Sequence, residues 1–147
     1  MNMKKNVIIA CTALLLAGSA KAQITYFSTG FDEGMPSAFT LHDVDGRTPS
    51  TDMQNLGFAV GVPWVVYEEG NDGNMVACST SWYKNAGKSD DWMVTGAIAI
   101  ESEKTVLSWR SRASDKDYRD GYKIYISEKG TAVEDLSLIH ISEPTRL

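Results

Sequence analysis

The residues of this chain best suited to chemistry are carboxylates on turns. Asp43-Val44-Asp45-Gly46 sets two aspartates one residue apart, immediately before a glycine. Such a turn offers hard oxygen ligands on one short arc, the arrangement that calcium uses. A full EF-hand loop is excluded, because no Glu stands at the required spacing after Gly46. The competing reading is structural, since Asp and Gly are favoured in turns whether or not a cation binds. A second candidate set is aromatic. Exposed rings stack on sugar faces, and Trp64, Tyr67, Trp82 and Tyr83 are the large rings least fixed by pattern. Those four are the candidate carbohydrate platform, with burial in a small core as the alternative.

Catalytic constellations find little support. Between the two ends of the chain, His42 is the only histidine, which excludes a histidine metal cluster. No Gly-x-Ser-x-Gly elbow exists to seat a serine nucleophile. Paired-carboxylate glycoside hydrolysis needs two acids roughly 5–10 Å apart, and nothing in the sequence selects a pair. Cys78 is the lone thiol of the central region and reads as a small buried apolar residue. Arg110 and Arg112 fall on one strand face, where they can hold a carboxylate or sugar or pair with cross-strand acids. The mixed-charge run 115–120 reads as a solvated hairpin loop.

The two ends bound the part that folds. Lys4 and Lys5 precede an apolar run over 7–16 and an Ala20-Lys21-Ala22 site, the three parts of a secretory signal peptide. The apolar run falls short of the ~20 residues a membrane-spanning helix needs, so no span is expected after cleavage at 22. It also continues past Cys11, where a lipoprotein signal would stop. At the other end, residues 136–147 (LSLIHISEPTRL) resemble the translation of a sequencing adapter, and the expectation is a non-native tail in which His140 and Arg146 carry no function. Residues 23–135 then form one domain of 113 residues with 10 basic and 18 acidic side chains, a net charge of −8. That balance argues against nucleic acid as a partner and fits extracellular life or cation binding.

The elements that must position these side chains have a period of two. Sustained 3.6-residue periodicity is absent, and short β-branched and aromatic runs alternate with Gly, Asp, Asn and Pro. Strands are predicted over 24–27, 39–44, 64–67, 74–79, 92–95 with 97–100 beyond a bend at Gly96, 106–113 and 121–127. Gly70-Asn71-Asp72-Gly73 marks a hairpin loop between the third and fourth, and 49–55 reads as a polar loop. Leu107, Trp109 and Ala113 share one face, as do Tyr122, Ile124 and Ile126, and these faces, with Trp92, are expected to turn inward. The fold class is all-β, a sandwich or barrel of antiparallel strands.

The order of these pieces resembles the cleaved-adhesin domain, the jelly-roll module of choice-of-anchor surface proteins of the Bacteroidetes group. The matching residues are Phe31-Asp32-Glu33-Gly34-Met35-Pro36, then Asp43-Val44-Asp45-Gly46, then Asp90-Asp91-Trp92-Met93. The strand pair around Asp117-Tyr118 completes them, and together they span most of 27–135. Two positions depart from the family pattern: Phe39 stands where a Trp is usual, and Asp91 where an Asn is commoner. The resemblance implies an antiparallel β-sandwich of jelly-roll type whose C-terminal strands are missing from this sequence. It also implies calcium stabilisation, with Asp32 as a ligand beside Asp43 and Asp45, and Asp90 as a fourth candidate.

The expected function is therefore a non-catalytic binding or adhesion module of a secreted or cell-surface bacterial protein. Its partner would be an extracellular glycan or a host or matrix protein. The alternative is an N-terminal accessory domain of a secreted peptidase or glycoside hydrolase, with the catalytic part elsewhere.

Overall fold

A strand forms only where a partner edge satisfies its backbone, and five of the predicted apolar runs found partners to different degrees. The computed structural model describes residues 24–138; the leader, His140 and Arg146 lie outside them. The architecture is all-β with little helix: three antiparallel two-stranded ladders, one five-residue helix and a short 3-10 turn. In chain order these are β1 (Thr40–Asp43), α1 (Thr51–Asn55), β2 (Trp64–Glu68), β3 (Met75–Ser79), β4 (Asp91–Val94), β5 (Tyr125–Ile126), the 3-10 turn Val133–Asp135 and β6 (Ser137–Leu138).

The β2–β3 hairpin is local and follows its sequence signals closely. Its register runs from Trp64 opposite Ser79 to Glu68 opposite Met75. Gly70 and Gly73 adopt positive φ (84° and 78°), the region closed to most side chains, and the Gly73 amide donates to Glu68 Oε1 at 2.8 Å. The β1–β4 ladder is non-local, with Leu41 opposite Met93, His42 opposite Trp92 and Asp43 opposite Asp91. Alternation splits it into two faces. Leu41, Met93, Asp43 and Asp91 look toward β3, whose Ser79 hydroxyl donates to Asp91 at 3.2 Å. His42 and Trp92 look toward the C-terminal segment, where Tyr125 packs on Trp92 with ring centroids 4.8 Å apart.

Between the first face and the α1 turn sits Phe58, which is 2% exposed and, prolines aside, the only buried apolar side chain among the described residues. Pro49, Ser50 and Pro63 are buried with it. The predicted loop over 49–55 is in fact capped helix: the Ser50 hydroxyl accepts from the Met53 amide at 3.4 Å, and Asp52 sits in the positive first turn.

Three predicted strands fail for identifiable reasons. Residues 24–27 pair with nothing; Phe27 instead packs on Phe39, centroids 5.7 Å apart, and Phe31 meets Phe39 edge-on. β4 ends at Val94 and residues 97–100 form no strand; at Gly96 an added Cβ would stand 3.0 Å from Ala38 Cβ, so the backbone there is pressed against residue 38. Residues 106–113 form no ladder, and of 121–127 only Tyr125–Ile126 pairs, with Leu138 and Ser137. The faces expected to turn inward are not covered, apart from a half-buried Ile124, and the opposite side of 106–113 is exposed as well. Trp109, Tyr122 and Ile126 are exposed, whereas Tyr125 and Arg112 from the predicted wet faces touch the body, at Trp92 and Glu69.

Candidate metal centre

Pairing β1 with β4 brings two acid-rich strand ends together. Asp43 and Asp91 are cross-strand partners, and Asp45, two residues beyond Asp43, stands at the turn where Gly46 takes a positive φ of 60°. One carboxylate oxygen from each of Asp43, Asp45 and Asp91 lies within 4.8 Å of the others. Like charges placed directly opposite on a sheet repel. Among the described residues no salt bridge reaches these three; the ion pairs there are Arg112–Glu69 and Lys116–Asp117.

Neutral donors hold the cluster instead. Asp43 Oδ1 accepts from the Gly46 amide at 2.7 Å and its Oδ2 from the Gly61 amide at 2.6 Å. Asp45 Oδ1 accepts from the Arg47 amide at 2.8 Å, and its Oδ2 from the Asp90 amide at 2.6 Å and the Tyr83 hydroxyl at 3.1 Å. Asp91 Oδ2 accepts from the Ser89 and Ser79 hydroxyls at 2.8 and 3.2 Å and lies 3.0 Å from the Tyr83 hydroxyl, whose single proton it shares with Asp45. These bonds orient the oxygens and leave the charge unneutralised. Arg47, the nearest cation in sequence, spends its guanidinium on the Lys88 and Ala86 carbonyls and lies 5.9 Å from the centre of the Tyr83 ring.

The electrostatics carry the mark of that crowding. Burial pushes the Asp91 carboxyl above the usual range; hydrogen bonds from Ser89 and Tyr83 oppose the rise, and the Asp45 charge adds to it. Tyr83 is likewise pushed up, by burial first and then by the charges of Asp91 and Asp45. The pocket beside the cluster measures about 10 Å³ and is lined by the three aspartates, Tyr83 and the Phe58 ring. That is space for a single water- or ion-sized particle. Three carboxylates around so small a space form a donor set suited to a hard cation.

Of the predicted metal residues, the structure gathers Asp43 and Asp45 and leaves out Asp32 and Asp90. Asp32 is exposed on the 28–37 loop, and Asp90 turns away to accept the Trp92 indole N–H at 2.7 Å. Asp91 takes the place expected of Asp90. Strand alternation explains the exchange: with Asp43 facing the pocket, its cross-strand partner Asp91 must face it too, and the preceding residue cannot.

The four aromatic residues do not converge on one face. Trp64 and Tyr67 are three apart on β2 and so point to opposite sides, and both are half-buried. Tyr83 is drawn into the aspartate cluster, and Trp82 alone is well exposed. Burial raises the Cys78 thiol, the reverse of what a nucleophilic cysteine needs. His42 directs Nε2 to the Thr131 carbonyl at 2.9 Å. No helix among the described residues is long and apolar enough to cross a membrane. Comparison with protein-family models, with curated proteins and with solved structures finds no match to this chain.

Proposed function

We propose that this chain is a non-catalytic binding module of an exported bacterial protein, an antiparallel sandwich of jelly-roll type whose β1–β4 corner is rigidified by calcium. The observation that carries the reading is the trio Asp43, Asp45 and Asp91: three carboxylates held by neutral donors, with no cationic side chain paired to them among the described residues. Calcium would cancel the cross-strand repulsion and fix the loops on either side of the cluster, 44–50 and 83–90. Beside those loops, its carbonyl accepting from the Ser50 amide at 2.8 Å, stands the exposed Trp82 ring, the side chain best placed to stack on an extracellular glycan or a protein surface. The His42 imidazole engaged on the Thr131 carbonyl and the raised Cys78 thiol support a binding role over a catalytic one.

Terbium tests the site directly, because the Tyr83 ring beside the carboxylates would sensitise its emission. We expect tyrosine-excited terbium luminescence that calcium displaces and that is lost in Asp43→Asn and Asp45→Asn. Emission equal in those variants and in the parent would remove the cation from the proposal. On a glycan and matrix-protein array, Trp82→Ala should lose any signal the parent shows, and unchanged binding would shift the ligand surface elsewhere.

A further inference from the structure

Arg47 is the cationic side chain nearest the three aspartates in sequence, and it lines the same pocket as they do. Its own backbone amide donates to Asp45 Oδ1 at 2.8 Å. A guanidinium binds a carboxylate more strongly than a neutral carbonyl, because both partners then carry charge. The Arg47 side chain nevertheless passes the carboxylates by. Its Nε donates to the Lys88 carbonyl at 3.1 Å and its Nη1 to the Ala86 carbonyl at 3.5 Å, with the centre of the Tyr83 ring 5.9 Å away.

Gly87 makes that placement possible. It lies between the two accepting carbonyls, and a Cβ built there would fall on the guanidinium carbon and both terminal nitrogens. Its φ is not positive, so what the position requires is room, not backbone freedom. The loop that carries this seat closes on the cluster at both ends. Tyr83 shares its hydroxyl between Asp45 and Asp91, and the Asp90 amide donates to Asp45 Oδ2 at 2.6 Å.

We propose that residues 86–88 form a seat that withholds Arg47 from the aspartates and so keeps their charge available to a cation. Arg47 is then a counter-ion carried within the chain. Two residues from Asp45 and lining the same pocket, a released guanidinium would pair with Asp45 or Asp91 and compete with calcium. This role rests on the cation reading of the trio, and it adds the residue that sets how tightly the cation is held.

Gly87→Ala unseats the guanidinium without altering a carboxylate, and terbium titration reads the consequence. We expect its dissociation constant to rise about three- to fivefold, the worth of a partly exposed ion pair. Adding Arg47→Gln to Gly87→Ala should return it to the value of Arg47→Gln alone, because the competitor is gone. A loss that persists in the double variant comes from a distorted loop and would refute the competition. Gly87→Ala with the parent's affinity would overturn the seat and leave the cation site standing, whereas a parent that binds no terbium removes the cation reading and the competition with it. The Arg47 Nε–H resonance reads the seat without any cation: in chelator it should exchange with solvent more slowly in the parent, where the Lys88 carbonyl accepts it, than in Gly87→Ala. Equal exchange in the two overturns the seat. If Gly87→Ala fails to fold, the parent decides alone, and exchange as fast as that of a free arginine side chain overturns it.

Discussion

Neutralising Asp91 should leave the cation-free protein almost as stable as before while abolishing its response to calcium. Asp91 faces two carboxylates, each with an oxygen within 4.8 Å of its own. At that separation two unit charges repel by about 0.9 kcal/mol in water and about 3.5 kcal/mol at an effective dielectric of ~20. Asp91 is only partly buried, and solvent screens such sites, so the lower figure governs and removing both repulsions returns about 2 kcal/mol. Asp91→Asn also weakens the bonds from Ser79, Ser89 and Tyr83, since a hydrogen bond to a charged acceptor is worth roughly 1 kcal/mol more than one to an amide oxygen. The two effects oppose each other, and the variant in chelator should unfold within about 1 kcal/mol of the parent. Calcium separates them. At a hundredfold excess over its dissociation constant a cation bound only to the folded state adds about 2.7 kcal/mol, a rise in melting temperature of roughly 10 °C for a domain of this size. Scanning calorimetry of both proteins, in chelator and in calcium, reads all four states. A parent melting temperature that calcium does not move, or an Asp91→Asn variant that gains as much as the parent, would refute the reasoning.

Two further outcomes follow from the same geometry. Phe58→Ala should cost about 3–5 kcal/mol in a denaturant titration, because no other apolar side chain among the described residues is as fully buried, and a loss under ~1 kcal/mol would place the core elsewhere. Stability in chelator should fall as pH rises across the carboxylate range. The folded pKa of Asp91 is raised above its ordinary 3.8, so its favourable contribution is complete below 3.8 and is lost as pH climbs through the raised value. A chelated protein that becomes more stable over that interval would contradict the assignment of Asp91 as the strained carboxylate.

Legibility from sequence followed the range of the interactions. The β2–β3 hairpin could be read because its cause is local: β-branched residues around Gly70-Asn71-Asp72-Gly73 fix both the turn and the register within sixteen residues. β1 and β4 were legible as strands, but their pairing across some fifty residues was not, and with it went the identity of the third aspartate. Asp90 and Asp91 are equivalent in a one-dimensional pattern. Only the register that sets Asp43 opposite Asp91 decides between them, because a slip of one residue exchanges the two faces. The 106–113 run failed differently. Its alternation is as clear as any in the chain, yet alternation states only that one face seeks cover, and no partner edge reaches it among the described residues.

The same argument bears on the faces around Trp109, which are expected inward from the sequence and are exposed in the structure. From sequence, the apolar side of a strand is assigned inward because inward is where apolar surface is normally removed from water. Here the polar side holds the two attachments that fix orientation, Arg112 to Glu69 and Tyr125 on Trp92. An ion pair on a half-exposed surface contributes little stability, and one tilted aromatic contact about 1 kcal/mol. These weak contacts can prevail only while nothing covers the apolar side. Burying Leu107, Trp109, Tyr122 and Ile126 offers roughly 1.5–3 kcal/mol for each fully covered side chain, several times what the two attachments supply. The inward assignment follows the energetics of burial, yet among the described residues nothing covers that side, and the opposite side of 106–113 is exposed as well.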